Sequence, residues 1–207
     1  MNNRAIMITF LFLLIAGVSC SQNKDELLLD DFEGAISAGP EGTIDAGSGA
    51  GSAIEVKGSA EIKYHGNQSL EIKFDAVPGG YMWAGRGYGL DVKGAAAWLV
   101  EPKDIDFGKF NAIAFYLYGG NTNAQIAIDI IDSGREYWRY LITDNFSGWK
   151  EFTISFSDFF PRGDWQPEAA DKNAELNLPI NAFQLEPRPI GKGTIYFDYV
   201  RLVSIKK

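Results

Sequence analysis

Along most of the chain after Gln68 the hydrophobic positions recur at every second residue, the period of a half-buried β-strand. In "SLEIKFDA" (69–76), Leu70, Ile72 and Phe74 share one face, and Glu71, Lys73 and Asp75 share the other. In "WKEFTISFSDF" (149–159), Phe152, Ile154 and Phe156 alternate with Thr153, Ser155 and Ser157. In "GTIYFDYVRLVSI" (193–205) the pattern sets Ile195, Phe197, Tyr199 and Val203 against Tyr196, Asp198, Val200 and Leu202. "FNAIAFYLYG" (110–119) and "AQIAIDIID" (124–132) are more evenly apolar, as central strands covered on both faces would be. "LLLDDFEG" (27–34) predicts a first strand, whereas residues 34–53, rich in Gly, Ala and Ser, predict a long loop with some extended stretches. Helical spacing is confined to one or two turns around 167–175. Many short strands without helices predict an all-β sandwich or jelly roll. Trp138 and Trp149 fall at strand positions and are expected in its core. At 14% aromatic residues, some rings are expected outside it.

The N-terminus breaks the pattern. Arg4 precedes an apolar run from Ile6 to Val18, short of the about 20 residues that cross a bilayer, with small residues before Cys20. Residues 1–19 therefore read as a signal peptide. Cys20, the single cysteine, sits at the predicted cut in a stretch that resembles a bacterial lipobox. The expectation is a lipidated Cys20 with a tether to Glu26, attached by enough acyl chains to hold it stably at the membrane. The bacterial cell envelope, at the outer membrane or cell surface, is the expected location. A single domain over 27–207 follows, and without a second cysteine it carries no internal disulfide. The net charge of −8 repels phosphate backbones, which argues against a nucleic-acid partner.

The chemistry of most enzymes is missing. A single histidine, His65, lies in the turn "YHGNQS" and is expected to be solvated. Ser-His-Asp sites and zinc sites built from several His or Cys have no material. A glycosidase needs only two carboxylates, about 5–5.5 Å or 6.5–9.5 Å apart, so a stand-alone hydrolase stays open at this point. "GRGYGLD" (85–91) is glycine-rich but no helix pattern follows it, so it is expected to join strands. "RGDWQP" (162–167) places a cation, a carboxylate and an aromatic ring within four residues. A sugar ring offers C–H groups on its faces and hydroxyls on its rim. Trp165 suits the first, and Asp164 and Arg162 supply an acceptor and a donor for the second. Trp165 is expected to be accessible, and the Arg-Gly-Asp tripeptide is read as sugar contacts rather than as an adhesive tip. Tyr81, Trp83 and Tyr88 offer further rings nearby.

Four segments together, "LLLDDFEG", "GREYWRYLITDNFSGWKEFTISFSDF" (134–159), "RGDWQP" and "GTIYFDYVRL" (193–202), resemble family 11 carbohydrate-binding modules, known from bacterial enzymes that degrade β-glucans. The resemblance implies a galactose-binding-domain-like jelly roll that binds polysaccharide without catalysis, with glycoside hydrolases as partners. It implies Arg162, Asp164 and Trp165 as sugar contacts, and brings over Tyr81 from "GGYMW" and Tyr137 before the "WxY" strand. Two platform tyrosines of the family, near "FQLEP" and in "GAISAGPEG", have no counterpart here. Galactose-binding-like sandwiches also often hold a structural Ca²⁺, for which Asp31, Glu33, Asn67 and Asp198 would supply side-chain oxygens. The second reading is a protein-docking or assembly factor, since complex I intermediate-associated domains share the sandwich.

Overall fold

The computed structural model describes residues 26–188 and 191–206. The segment read as a signal peptide, Cys20 and the tether as far as Asp25 lie outside the described residues.

Among the described residues, twelve strands form two antiparallel six-stranded sheets packed face to face. One contains β3 (Ala53–Ser59), β4 (Ser69–Ala76), β12 (Gly191–Val203), β6 (Ala112–Gly120) and β9 (Ser147–Ser155) in that order, and β1 (Glu26–Asp30) also pairs with β12. The other runs β10 (Phe160–Pro161), β8 (Tyr137–Thr143), β7 (Gln125–Ile131), β11 (Ala182–Pro187), β5 (Tyr81–Gly87), β2 (Asp45–Gly49). Strands adjacent in a sheet are often distant in the chain, as crossing between two sheets requires. The only helical elements among the described residues are four short 3₁₀ turns, and the helical spacing around 167–175 produces none.

The alternating positions build the core as expected. Leu70, Ile72 and Phe74 of β4, and Ile195 and Phe197 of β12, face Ile126, Ile128 and Ile130 of β7 and Phe183 of β11 across the interior. The evenly apolar runs became the central strands β6 and β7. The alternation of β12 changes phase midway. Tyr199 has φ of 55°, the register against β6 shifts between Asp198 and Arg201, and Val200 and Leu202 turn into the core. A β-bulge supplies the extra residue, so the predicted face with Tyr199 and Val203 opposing Val200 is corrected beyond Asp198. A second correction concerns the Gly/Ala/Ser segment, which contains the edge strand β2 and leads directly into β3. Gly47 and Gly49 leave no side-chain alternation to read, because Trp83 and Tyr81 of the neighbouring strand occupy the space where their side chains would be. A third correction is Trp149, half-buried on the outer face of the first sheet, while Trp138 is in the core.

One ion pair crosses the interior. Arg86 Nε lies 2.5 Å from an oxygen of Asp30, both almost fully buried. Burial pushes the Asp30 carboxyl up to about 6 even though Arg86 draws it down.

Candidate functional site

The outer face of the second sheet carries a cleft of about 660 Å³. Strand alternation decides its lining. On β5, Met82 and Ala84 enter the core, so Tyr81 and Trp83 face outward. On β11, Phe183 and Leu185 enter the core, leaving Gln184 and Glu186 on the open face. On β8, Trp138 and Ile142 are inside and Tyr137 and Arg139 outside. Asp129 of β7 lies in register with Arg139 on one side and Gln184 on the other, beneath the cleft.

All five sequence-predicted contact residues, Tyr81, Tyr137, Arg162, Asp164 and Trp165, line this one cleft. Tyr81 is 53% exposed and Trp165 51% exposed, so both rings are accessible. Tyr81 and Trp83 lie 6.2 Å apart with planes 14° from parallel. Trp83 is fixed by donating its indole N–H to Asp45 at 2.9 Å. On the other side, Trp165 meets Tyr137 edge-on at 5.3 Å, and the Arg162 guanidinium sits 5.4 Å from the Trp165 ring. Gln166 ties this loop to β8: its Oε1 accepts the Tyr137 N–H, and its Nε2 donates to the carbonyls of Tyr137 and Arg162. Desolvation pushes the Tyr137 phenol up to about 12, so it stays a neutral hydroxyl.

The floor is a network of three guanidinium groups and three carboxylates. Arg139 Nε and Nη2 grip Asp129 at 2.7 and 2.8 Å, and Nη2 also reaches Glu186 at 2.5 Å. Arg162 bonds Asp164 through Nε at 2.8 Å, and its Nη1 approaches Glu186 at 3.0 Å and Asp129 at 3.4 Å. Arg188 joins Asp164 at 3.1 Å and Glu186 at 2.6 Å. Signs alternate, so the floor is close to neutral and each arginine is committed to carboxylates. Partial burial alone would raise the Asp164 carboxyl, but the hydrogen bond and charge of Arg162, with Arg139 and Arg188, hold it well below the usual range. Asp164 is thus an ionised acceptor, its side chain 44% exposed, ready for a ligand hydroxyl.

The Arg-Gly-Asp tripeptide is therefore not an adhesive tip, since its arginine and aspartate clasp each other and the floor. Most carboxylates of the cleft are committed to partners in the fold. Glu186 is bound by arginines, Asp45 accepts from Trp83 and from the Asp91 N–H, and Asp132 accepts from Trp138 and two backbone N–H groups. Asp164 is held in the direction opposite to a general acid.

Sequence reasoning left out the floor residues Asp129, Arg139, Glu186 and Arg188, and the fixing residues Asp45 and Gln166. Asp129 was detectable as the one charge inside "QIAIDII", where a buried carboxylate must have a partner. Trp83, named from the sequence as a nearby ring, falls on the cleft side through its i, i+2 relation to Tyr81.

The four residues expected at calcium hold a turn together. Glu33 accepts from the Asn67 N–H, the Asn67 side-chain amide and the Gln68 N–H at 2.7, 2.6 and 3.1 Å. One oxygen of Asp198 accepts the N–H groups of Tyr64 and His65 at 2.9 Å each. The other is buried without a hydrogen-bond partner. Asp31 accepts the Glu33 N–H at 3.2 Å. Among the described residues no three His, Cys, Asp or Glu side chains gather in a metal-holding group. Backbone carbonyls would have to complete the shell of six to eight oxygens that Ca²⁺ takes.

Comparison with known proteins bears on the same features. A sequence model of the carbohydrate binding domain, family 11, matches residues 18–204. Endoglucanase H of Acetivibrio thermocellus is 31% identical over 183 residues, 86% of this chain, which spans 18% of that enzyme's length. Among solved structures, a family 11 carbohydrate-binding module from Clostridium thermocellum, in complex with a β-1,3-1,4-mixed-linked tetrasaccharide, shares the fold with a TM-score of 0.67. It is 23% identical, over 88% of this chain and 98% of that one. The family 11 module of the cellulase Lic26A-Cel5E of Clostridium thermocellum has a TM-score of 0.65 at 23% identity, over 88% of this chain and 96% of that one. With the family matched along almost the whole chain, on the sandwich the sequence predicts, this chain belongs to the family 11 carbohydrate-binding domains.

Proposed function

We propose that the protein is a noncatalytic polysaccharide-binding module whose cleft holds a linear, neutral β-glucan-like chain. One observation carries this reading: two pairs of aromatic rings, Tyr81–Trp83 and Tyr137–Trp165, line one cleft over a neutral, acceptor-bearing floor. Ring faces suit the C–H faces of pyranoses, and Asp164 and Tyr137 suit their hydroxyls. Trp83 adds a second ring beside Tyr81. The mixed-linkage tetrasaccharide of the Clostridium thermocellum module makes β-1,3-1,4-glucan the first ligand to try. The endoglucanase relative supports glycoside hydrolases as working partners. The lipobox-like Cys20 supports anchoring in the bacterial envelope.

The test is affinity electrophoresis against mixed-linkage glucan, xyloglucan, laminarin, xylan and galactomannan, with Trp165→Ala alongside. Retardation of the wild type by at least one polymer, reduced by about tenfold in affinity or more in the variant, a loss of about 1.4 kcal/mol, supports the reading. No retardation by any polymer sets it aside.

A structural Ca²⁺ is a separate proposal. Its support is the partnerless buried oxygen of Asp198 on the turn that Glu33 also holds, and binding would require Glu33 and Asn67 to exchange partners. Thermal unfolding decides it: a Tm raised by calcium and lowered by chelator supports the ion, and an unchanged Tm removes it.

A further inference from the structure

The opposite face of the sandwich is also aromatic, and neither the cleft nor the core uses those rings. Trp149 of β9, Tyr118 of β6 and Tyr196 of β12 are direct register partners, so they form a row across three adjacent strands. Tyr118 meets Trp149 at 5.5 Å and Tyr196 at 5.6 Å, both edge-to-face. Beside the row, Tyr64 lies flat on Tyr116, with centroids 3.4 Å apart and planes 12° from parallel, and remains 43% exposed. The position of Tyr64 is built. Asp198, fully buried, accepts the backbone N–H groups of Tyr64 and His65, and so fixes the turn over the sheet. Under it, Arg201 lies over the rings of Tyr116 and Tyr199 and is neutralised by Glu26 and Glu151.

We infer that this face is a second carbohydrate-binding surface, taking an extended neutral polysaccharide across the strands. The inference rests on the reading of the cleft as a glycan site and adds a second site to it. Strands are spaced about 4.8 Å apart, comparable with one sugar unit of an extended β-linked chain, so the row presents one ring per unit. Its chemistry is that of the cleft: rings for sugar faces, phenol hydroxyls for sugar hydroxyls, and no uncompensated charge at Arg201. Because Tyr118 stands nearly perpendicular to Trp149 and to Tyr196, ring faces and ring edges alternate along the row, a ridged surface rather than the central pocket around which protein-binding hot spots gather. With sites on opposite faces, one molecule would join two chains, and binding to a polymer would gain from the second contact.

The test uses the full chain with the polymer that retards it and with a short oligosaccharide of the same linkage. Trp165→Ala should keep weak retardation that adding Tyr64→Ala removes. The wild type should cross-link dilute polymer, read as turbidity or viscosity. Tyr64→Ala and Tyr196→Ala should each lose that while binding the oligosaccharide as the wild type does, which also shows that they are folded. The inference is overturned if Trp165→Ala alone abolishes retardation, or if both tyrosine variants cross-link like the wild type. It is also overturned if the protein sediments as a dimer that Tyr64→Ala dissociates, because the face would then bind protein. A wild type retarded by no polymer would end the reading of the cleft as well, whereas these other results end only the second surface.

Discussion

Asp164 shows how the cleft turns ion pairing into recognition. Its carboxylate is held by Arg162, Arg139 and Arg188 yet keeps an exposed side, so it acts as a fixed acceptor rather than a free charge. Its pKa is lower folded than unfolded, where it is about 3.9. The stability it contributes is therefore complete above about pH 4 and is lost as the pH falls through the folded value. Asp164→Asn should lower Tm at neutral pH, and the gap to the wild type should narrow steadily in melts taken below pH 4. A gap that widens on acidification would contradict the assignment. Gln166 should behave as a positioning residue. Gln166→Ala frees the loop from Tyr137 and should weaken glycan binding, whereas Gln166→Glu, which keeps the acceptor for the Tyr137 N–H but loses both donated bonds, should recover only part of it in the same titration.

The edge strand β2 is shaped by the rings of the strand beside it. Gly47 and Gly49 make room for Trp83 and Tyr81, so a Cβ at either position would collide with a ring. Glycine covered by a cross-strand aromatic ring is an established way to stabilise such a position. Gly49→Ala should displace the exposed Tyr81 ring, weakening glycan affinity while shifting Tm little. A large loss of stability with unchanged affinity would contradict this. The same pair explains what was legible. Strands with two-residue alternation, β4 and β9, and the central β6 and β7 could be read from the chain alone, because burial imposes their pattern. β2 could not, because its outward partners are supplied by another strand. The phase of β12 beyond Asp198 was hidden by a bulge that only the register reveals. "RGDWQP" could be read as a site because its chemistry is contiguous. Its floor could not, because Asp129, Arg139 and Glu186 meet only through the pairing of β7, β8 and β11.

For the molecule as a whole, the core must hold two sheets together without disulfides among the described residues, and it does so around a buried ion pair. Removing one partner strands the other: Arg86→Leu should cost about 3–5 kcal/mol of unfolding free energy at neutral pH. Asp30 is raised from an unfolded value of about 3.9 to about 6. Its favourable contribution is therefore full below the unfolded value and lost as pH rises through the folded one. Part of the Arg86→Leu loss should return in denaturant titrations at pH 5, and an equal loss at pH 5 and pH 8 would contradict the assignment. A glycan held between the Tyr81–Trp83 and Tyr137–Trp165 pairs has a direct reporter in the five tryptophan indole N–H resonances. The measurement is an NMR titration with a β-1,3-1,4-linked tetrasaccharide. The resonances of Trp83 and Trp165 should move together and saturate, while those of the buried Trp98 and Trp138 stay in place. Saturable shifts confined to other tryptophans, or no shifts at millimolar ligand, would mean that no glycan sits between these ring pairs.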